Sequence, residues 1–152
     1  MKKLVLALIV ALSVFSAVAQ NTDNLVNNYV HVKDALINSD GKSAAAAIVK
    51  LYESIKGDAE FAHRPDLLKA TEKLRQAGND IDKQRAAFND VSTLLWKLVK
   101  TSDNASQAVY YQYCPMKKAY WLSTEKDIKN PYYGSAMLTC GKVEDSKPAS
   151  QN

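Results

Sequence analysis

The sequence predicts a mainly α-helical fold, an antiparallel four-helix bundle with a small C-terminal β/loop appendage. Apolar residues recur every three or four positions in four segments between about Asn21 and Lys100, which is the period of an amphipathic helix. Beyond Asn104 the spacing changes to an alternation of period two, which is typical of strands. Short connections between consecutive helices favour antiparallel neighbours.

The first 19 residues have the features of a Sec signal peptide. A short basic start is followed by an apolar run over residues 4–15 and by small residues up to Ala19, the order found in secretory signals. The run is shorter than the roughly 20 residues that cross a bilayer. We expect cleavage after Ala19 and, because Gln20 rather than Cys follows, no lipid anchor. The expected product is periplasmic or secreted, with no later membrane span.

Cleavage leaves 133 residues, enough for one domain with a real core. We expect a single domain over residues 20–141, with the appendage at 105–141 and a flexible polar tail at 142–152. Removal of two lysines with the signal peptide lowers the formal charge from +4 to +2. Because no Lys/Arg-rich stripe stands out, nucleic acid is not an expected partner.

Four helices are predicted at residues 21–38, 43–56, 66–77 and 81–100. Gly57 is placed to end the second, since glycine often follows the last helical turn. Pro65 suits the first turn of the third, where its missing N–H would have no partner. The side chain of Asp80 is placed to cap the fourth.

The appendage is predicted to begin with a β-hairpin. The residues up to Cys114 alternate as one strand, and Ala119 onward is its partner across Lys117-Lys118. The segment Ser123 to Lys129 is predicted to form a short helical turn, and Asn130-Pro131 marks a turn after it.

Four sulfur atoms are the candidate ligands of a metal ion. Cys114 and Met116 flank Pro115, and residues two apart in an extended segment point to the same side. Met137 and Cys140 are three apart and would share a face of a helical turn. Thiol and thioether ligands select soft ions such as Cu(I), and Ag(I) is expected to behave alike. Zinc usually takes four Cys/His ligands, which these pairs do not supply.

A structural disulfide between Cys114 and Cys140 is the alternative for the two cysteines. Disulfides persist in exported proteins, and a bridge closing about 26 residues would contribute roughly 3.5 kcal/mol. The C-x-x-C spacing of redox-active pairs is absent. Met116 and Met137 would then fill gaps in the core. A bridge and thiolate ligation exclude each other in one molecule, and both interpretations stay open.

Four short motifs carry a resemblance to a known family. They read Tyr-Cys-Pro-Met at 113–116, Ala-Tyr-Trp-Leu-Ser at 119–123, Asn-Pro-Tyr-Tyr-Gly at 130–134 and Met-Leu-Thr-Cys-Gly at 137–141, with a weaker likeness at Arg85 to Phe88 and at Ser92. This pattern resembles an uncharacterised family of exported domains. The family also occurs as the C-terminal module of periplasmic adaptor proteins of copper/silver efflux pumps. The resemblance implies a role in metal export, a periplasmic efflux adaptor as partner, and Cys114, Met116, Met137 and Cys140 as ligands.

A few other side chains have expected roles. His63, in the connection before Pro65, is a possible further metal ligand, and the favoured alternative is a solvated loop histidine. Arg85 lies on the apolar stripe of the fourth helix, where a charge is usually paired or reaches water. We expect it to tether the appendage to the helices through backbone carbonyls or a carboxylate. Phe88 and Trp121 are expected to be structural. The appendage tyrosines form either a binding surface or a packing layer.

No catalytic motif is present in a recognisable context, so we expect no enzyme. Two hypotheses follow: a periplasmic binder of Cu(I) or Ag(I), and a non-catalytic interaction module with a disulfide.

Overall fold

The computed structural model describes residues 22–58, 61–103 and 105–150, and the expected signal peptide at 1–19 lies outside them. The described part contains four α-helices and one three-stranded antiparallel sheet, which confirms a mainly helical protein with a small β appendage. The helices are α1 at 22–37, α2 at Gly41–Gly57, α3 at Arg64–Arg75 and α4 at Ile81–Thr101; the strands are β1 at Val109–Cys114, β2 at Ala119–Ser123 and β3 at Lys142–Lys147.

The helix ends follow local signals in the sequence. The side chain of Asp80 accepts a hydrogen bond from the backbone N–H of Lys83 (3.1 Å), which confirms the cap of α4. Asp40 caps α2 in the same way through Ser43 (2.9 Å), so α2 begins two residues before the predicted start. Pro65 occupies the first turn of α3.

The predicted apolar faces of the helices form the core. In α1 the residues Leu25, Tyr29, Val32 and Leu36 are all at most 1% exposed.

The buried side-chain amide of Gln84 fixes the ends of three helices. The Nε2 of Gln84 donates to the carbonyl oxygens of Gly41 (2.8 Å) and Gly78 (2.6 Å). The start of α4 is therefore held to the start of α2 and to the turn after α3.

The sheet has the strand order β2-β1-β3, with both pairs antiparallel. The predicted hairpin is confirmed, with Cys114 opposite Ala119 across the turn at 115–118. On the other edge, Tyr113 pairs with Lys142. The expectation of a flexible tail is therefore wrong for residues 142–147. Their side chains alternate between exposed and half-buried, and backbone pairing to β1 orders the segment despite its polarity.

The predicted helical turn from Ser123 to Lys129 is also wrong. Ser123 ends β2, and residues 124–127 form bends. The buried Nε2 of Gln112 donates to the carbonyl oxygens of Glu125 and Lys126 (3.1 Å each) and more distantly to that of Asp127 (3.4 Å). These carbonyls turn inward to satisfy a buried amide, which prevents a regular helical bonding pattern.

A hydrogen bond from the core of the helices holds the sheet in place. The backbone N–H of Leu122 in β2 donates to the hydroxyl of Tyr29 in α1 (3.1 Å), and that hydroxyl also bonds the hydroxyl of Ser92 in α4 (2.7 Å). The N–H of Tyr120 donates to Oδ1 of Asn89 in α4 (2.8 Å). These hydrogen bonds fix the position of the sheet relative to α1 and α4.

Within the described ranges no helix has the length and apolarity that crossing a bilayer requires.

Candidate functional site

Cys114 and Cys140 lie side by side at the end of the sheet. Both are unbridged, and the two segments that carry them meet where Gly141 lies against the carbonyl oxygen of Tyr113. Cys114 is completely buried, whereas Cys140 is half-buried. Desolvation raises the pKa of the Cys140 thiol, and the neighbouring Cys114 raises it further because a second negative charge nearby is unfavourable. Cys140 therefore carries its proton at neutral pH.

The backbone around Cys140 is held by Asn130, which is fully buried. Its side-chain Nδ2 donates to the carbonyl oxygen of Cys140 (2.7 Å), and its backbone N–H donates to that of Leu138 (2.7 Å). On the other side, the pairing of Tyr113 with Lys142 aligns the segment before Lys142 with the end of β1. The two chain segments that carry the thiols are thus positioned by separate hydrogen bonds.

Gly141 allows the second segment to approach the core closely. A Cβ at this position would lie 2.7 Å from Cη2 of Trp121 and 2.9 Å from the carbonyl oxygen of Tyr113. Real Cβ atoms do not come so near, so a side chain at position 141 would push this segment away from Trp121 and Tyr113. Trp121 itself is completely buried and meets Tyr132 edge to face, with ring centroids 6.2 Å apart. Its side chain packs against the segment that carries Cys140, at Gly141.

The two methionines differ in their surroundings. Met137 ends a short 3₁₀ helix at Gly134–Met137 and is half-buried, and its carbonyl oxygen accepts a hydrogen bond from the N–H of Cys140 (3.1 Å). This backbone bond places Cys140 one turn after Met137. Met116 projects from the hairpin turn with 64% of its surface exposed. The alternative of a gap-filling core methionine is therefore wrong for Met116.

His63 stands between α2 and α3, apart from the thiol pair. It precedes α3 in a left-handed backbone conformation (φ 67°), and its Nδ1 lies 3.9 Å from Oδ2 of Asp66. The next residue, Arg64, bonds the carbonyl oxygen of Ile55 at the end of α2. The appendage contacts α4 through β2 instead, so the structure does not bring His63 to Cys114 and Cys140. In the described ranges, no group of three or more His, Cys, Asp and Glu side chains is arranged to hold a metal.

Arg85 joins the appendage to the helices. Its Nε donates to the carbonyl oxygen of Pro131 in the appendage (2.8 Å), while Nη2 donates to the carbonyl oxygen of Leu36 (2.9 Å) and to Oγ of Ser39 (2.9 Å) at the end of α1. Desolvation lowers the pKa of the guanidinium, and the nearby Asp82 partly offsets this. These contacts join the two segments in the manner expected of a tether.

The aromatic residues of the appendage mainly pack against each other and against the helices. Tyr111 stacks between Trp96 of α4 (5.0 Å between centroids) and Tyr120 (4.6 Å), and Tyr113 adds a tilted contact to Tyr120 (4.6 Å). In the helices, the ring of Phe88 in α4 stacks on the buried ring of Tyr29 in α1, with centroids 4.9 Å apart. This arrangement accounts for most of the aromatic content as packing.

Sequence reasoning missed three side chains that position the site, namely Tyr29 as a sheet anchor, Gln112 as the support of the loop at 124–127, and Asn130 as the clamp on Cys140. Asn130 was accessible from the sequence, because asparagine before proline is a turn signal and its short amide often bonds nearby backbone. For the other two, only the tertiary structure shows the partner.

Comparison with known protein families identifies a family for this chain. Neither the curated proteins nor the solved structures contain a match to the chain. A family model described as "Protein of unknown function (DUF3347)" matches residues 25–107. The match covers nearly all of the four helices and ends before β1, so the four appendage motifs lie outside it. Because it covers more than half of the chain, the protein belongs to the DUF3347 family of proteins of unknown function.

Proposed function

We propose that this protein is an exported, non-catalytic binder of a soft metal ion, Cu(I) or Ag(I), with Cys114 and Cys140 as its main ligands. The observation that carries the proposal is the close approach of the two segments that carry the thiols, where Gly141 lies against the carbonyl oxygen of Tyr113 and Lys142 pairs with Tyr113. Two adjacent sulfur ligands suit an ion that prefers few, soft donors. The resemblance of the appendage motifs to those of efflux adaptors supports the same class of ion.

Met137 supplies a third ligand in this proposal. It lies one backbone turn before Cys140 and is half-buried like that thiol. The ion enters from the side of Cys140, because Cys114 is completely enclosed. The four helices, arranged as an antiparallel bundle, act as the rigid support that keeps β1 and the segment at 138–141 in register.

Met116 is better placed to pass the metal ion to a partner protein than to hold it. Its thioether stands on the exposed hairpin turn, two residues from Cys114. A partner with soft ligands can reach it without opening the core. We propose that the partner is a periplasmic efflux adaptor, which receives the ion from this side of the sheet.

Binding is expected to weaken in acid. The thiols must lose their protons to act as thiolate ligands, so the metal competes with protons for the same sulfur atoms. The raised pKa of Cys140 means that this competition already operates at neutral pH.

An anaerobic Cu(I) titration against a chromophoric Cu(I) chelator tests the proposal. The wild type should compete for one ion per chain, and the Cys114→Ser/Cys140→Ser variant should lose this capacity. Met137→Leu should bind measurably more weakly, while Met116→Leu serves as the matched control and should keep the wild-type affinity. Equal affinity in the wild type and the double cysteine variant would remove the cysteines from any metal role.

The second candidate is an interaction module in which Cys114 and Cys140 form a structural disulfide. The complete burial of Cys114 and the clamp of Asn130 on Cys140 favour it, because both restrict the sulfurs as a structural bridge would. A thiol oxidase of the dithiol–disulfide class would accept the two electrons as the S–S bond forms and both thiol protons leave. A free-thiol count on protein taken from the periplasm separates the candidates: two reactive thiols favour metal binding, and none favours the bridge.

A further inference from the structure

A cavity lies between the first turns of α4 and the β1–β2 turn. Its volume is about 360 Å³, and its walls include Asp82, Arg85, Asn89, Lys117 and Lys118. We infer that this cavity binds a carboxylate group. The inference does not depend on metal binding, because none of its residues is a proposed metal ligand.

The charges around the cavity are unbalanced. Three cations, Arg85, Lys117 and Lys118, face one carboxylate, Asp82. The ion pairs formed among the described residues include none of these three cations. Lys117 instead lies over the ring of Tyr133, with its ammonium 5.1 Å from the ring centroid. The cavity therefore has a positive potential that a bound anion would neutralise.

Two hydrogen-bond donors remain available to such an anion. Arg85 uses Nε and Nη2 for Pro131, Leu36 and Ser39, which leaves Nη1 without a partner in the described part of the chain. The Oδ1 of Asn89 accepts the N–H of Tyr120. Because a backbone N–H can only donate, this contact fixes the orientation of the amide and leaves its Nδ2 free to donate.

The geometry of the wall is largely fixed before any ligand arrives. Arg85 is held by three hydrogen bonds and Asn89 by the backbone of β2. Lys118 adopts the left-handed conformation (φ 51°), and the turn that carries it connects two paired strands. A preformed wall lowers the entropic cost of binding.

A carboxylate suits this wall better than a phosphate. One guanidinium nitrogen and one amide nitrogen match the two oxygens of a carboxylate, and a lysine ammonium balances its single charge. Asp82 stands in the same wall and repels a dianion more strongly than a monoanion. The carboxylate belongs either to a small organic acid or to an acidic side chain of a partner protein, and the test separates these sources.

Titration of the ¹⁵N-labelled protein by NMR tests the inference, with acetate as the small acid and an amidated hexaglutamate peptide as the protein-like probe. We expect saturable shifts of the backbone amides of Lys118 and Ala119 and of the side-chain amide of Asn89. Saturation by acetate supports a small-acid ligand, and saturation by the peptide alone supports a partner's acidic side chain. Failure of both probes to produce saturable shifts at these positions would overturn the inference.

Charge variants with opposite expected effects sharpen the test. One unit charge about 6 Å away in a water-like medium changes affinity about threefold. Lys118→Gln should therefore weaken binding about threefold, and Asp82→Asn should strengthen it by a similar factor. Lys73→Gln, an exposed lysine on α3, is the matched control and should leave the affinity unchanged. The same affinity in all four proteins would refute a site built from these charges.

Discussion

Replacing Arg85 with methionine measures how strongly the appendage is held to the helices. The change keeps an apolar stem but removes hydrogen bonds to Pro131, Leu36 and Ser39. A hydrogen bond to a charged group contributes about 1.5–3 kcal/mol net when it is shielded from water. The bond to Ser39 is exposed and counts for little, so the two carbonyl contacts dominate. Because Arg85 is only partly buried, we expect a loss of about 2–4 kcal/mol in the free energy of unfolding.

Thermal and urea unfolding followed by circular dichroism provide the assay. In a chain of this size each kcal/mol shifts Tm by about 3–5 °C, so Arg85→Met should lower Tm by about 6–20 °C. Arg75→Met is the matched control. Arg75 is exposed and pairs with Glu72 on the same helix, and such surface pairs contribute less than about 1 kcal/mol. A fall of less than about 2 °C for Arg85→Met would refute the role of this side chain as a tether.

Three further predictions concern the core and the thiol pair. Gly141→Ala should cost about 2–3 kcal/mol in a urea titration, because its Cβ would overlap Trp121, whereas Gly57→Ala meets open space and should stabilise α2 by up to about 1 kcal/mol. Tyr29→Phe should cost about 1–3 kcal/mol in the same assay, because it leaves a buried N–H without a partner; an unchanged unfolding midpoint would contradict the sheet anchor. Alkylation of Cys140 by iodoacetamide should have a pH midpoint above the ordinary thiol value of about 8.5. The stability contributed by its tightly held proton should be full below that value and fall as the pH rises through the raised pKa.

The helices were predictable because each buries a stripe that repeats at the helical period. The faces that contain Tyr29 in α1 and Phe88 in α4 are buried as the spacing predicts, and Asp80 supplies a local signal for the start of α4. The β1–β2 hairpin was predictable for a similar reason, since Cys114 and Ala119 are close in sequence and the strands alternate. In each case the information lies within a few residues.

The remaining parts of the appendage depend on contacts distant in sequence. β3 is polar, and its order comes from pairing with β1 at Tyr113–Lys142. The conformation of the loop after Ser123 depends on hydrogen bonds to the buried amide of Gln112, which no local sequence pattern indicates. The meeting of Cys114 and Cys140 likewise requires the chain to fold back, and the clamp of Asn130 on Cys140 fixes that path. The sequence identified the sulfur atoms but not their distances.

The central position of β1 in the sheet couples the thiol pair to both of its edges. Cys114 is paired with Ala119 in the β1–β2 hairpin, and Cys140 stands two residues before β3, which pairs with the other edge of β1. A chain that ends at Cys140 would keep the clamp of Asn130 on Cys140 but would lose the pairing of Tyr113 with Lys142. We expect such a truncated chain to hold its two thiols in register less firmly than the full-length chain does.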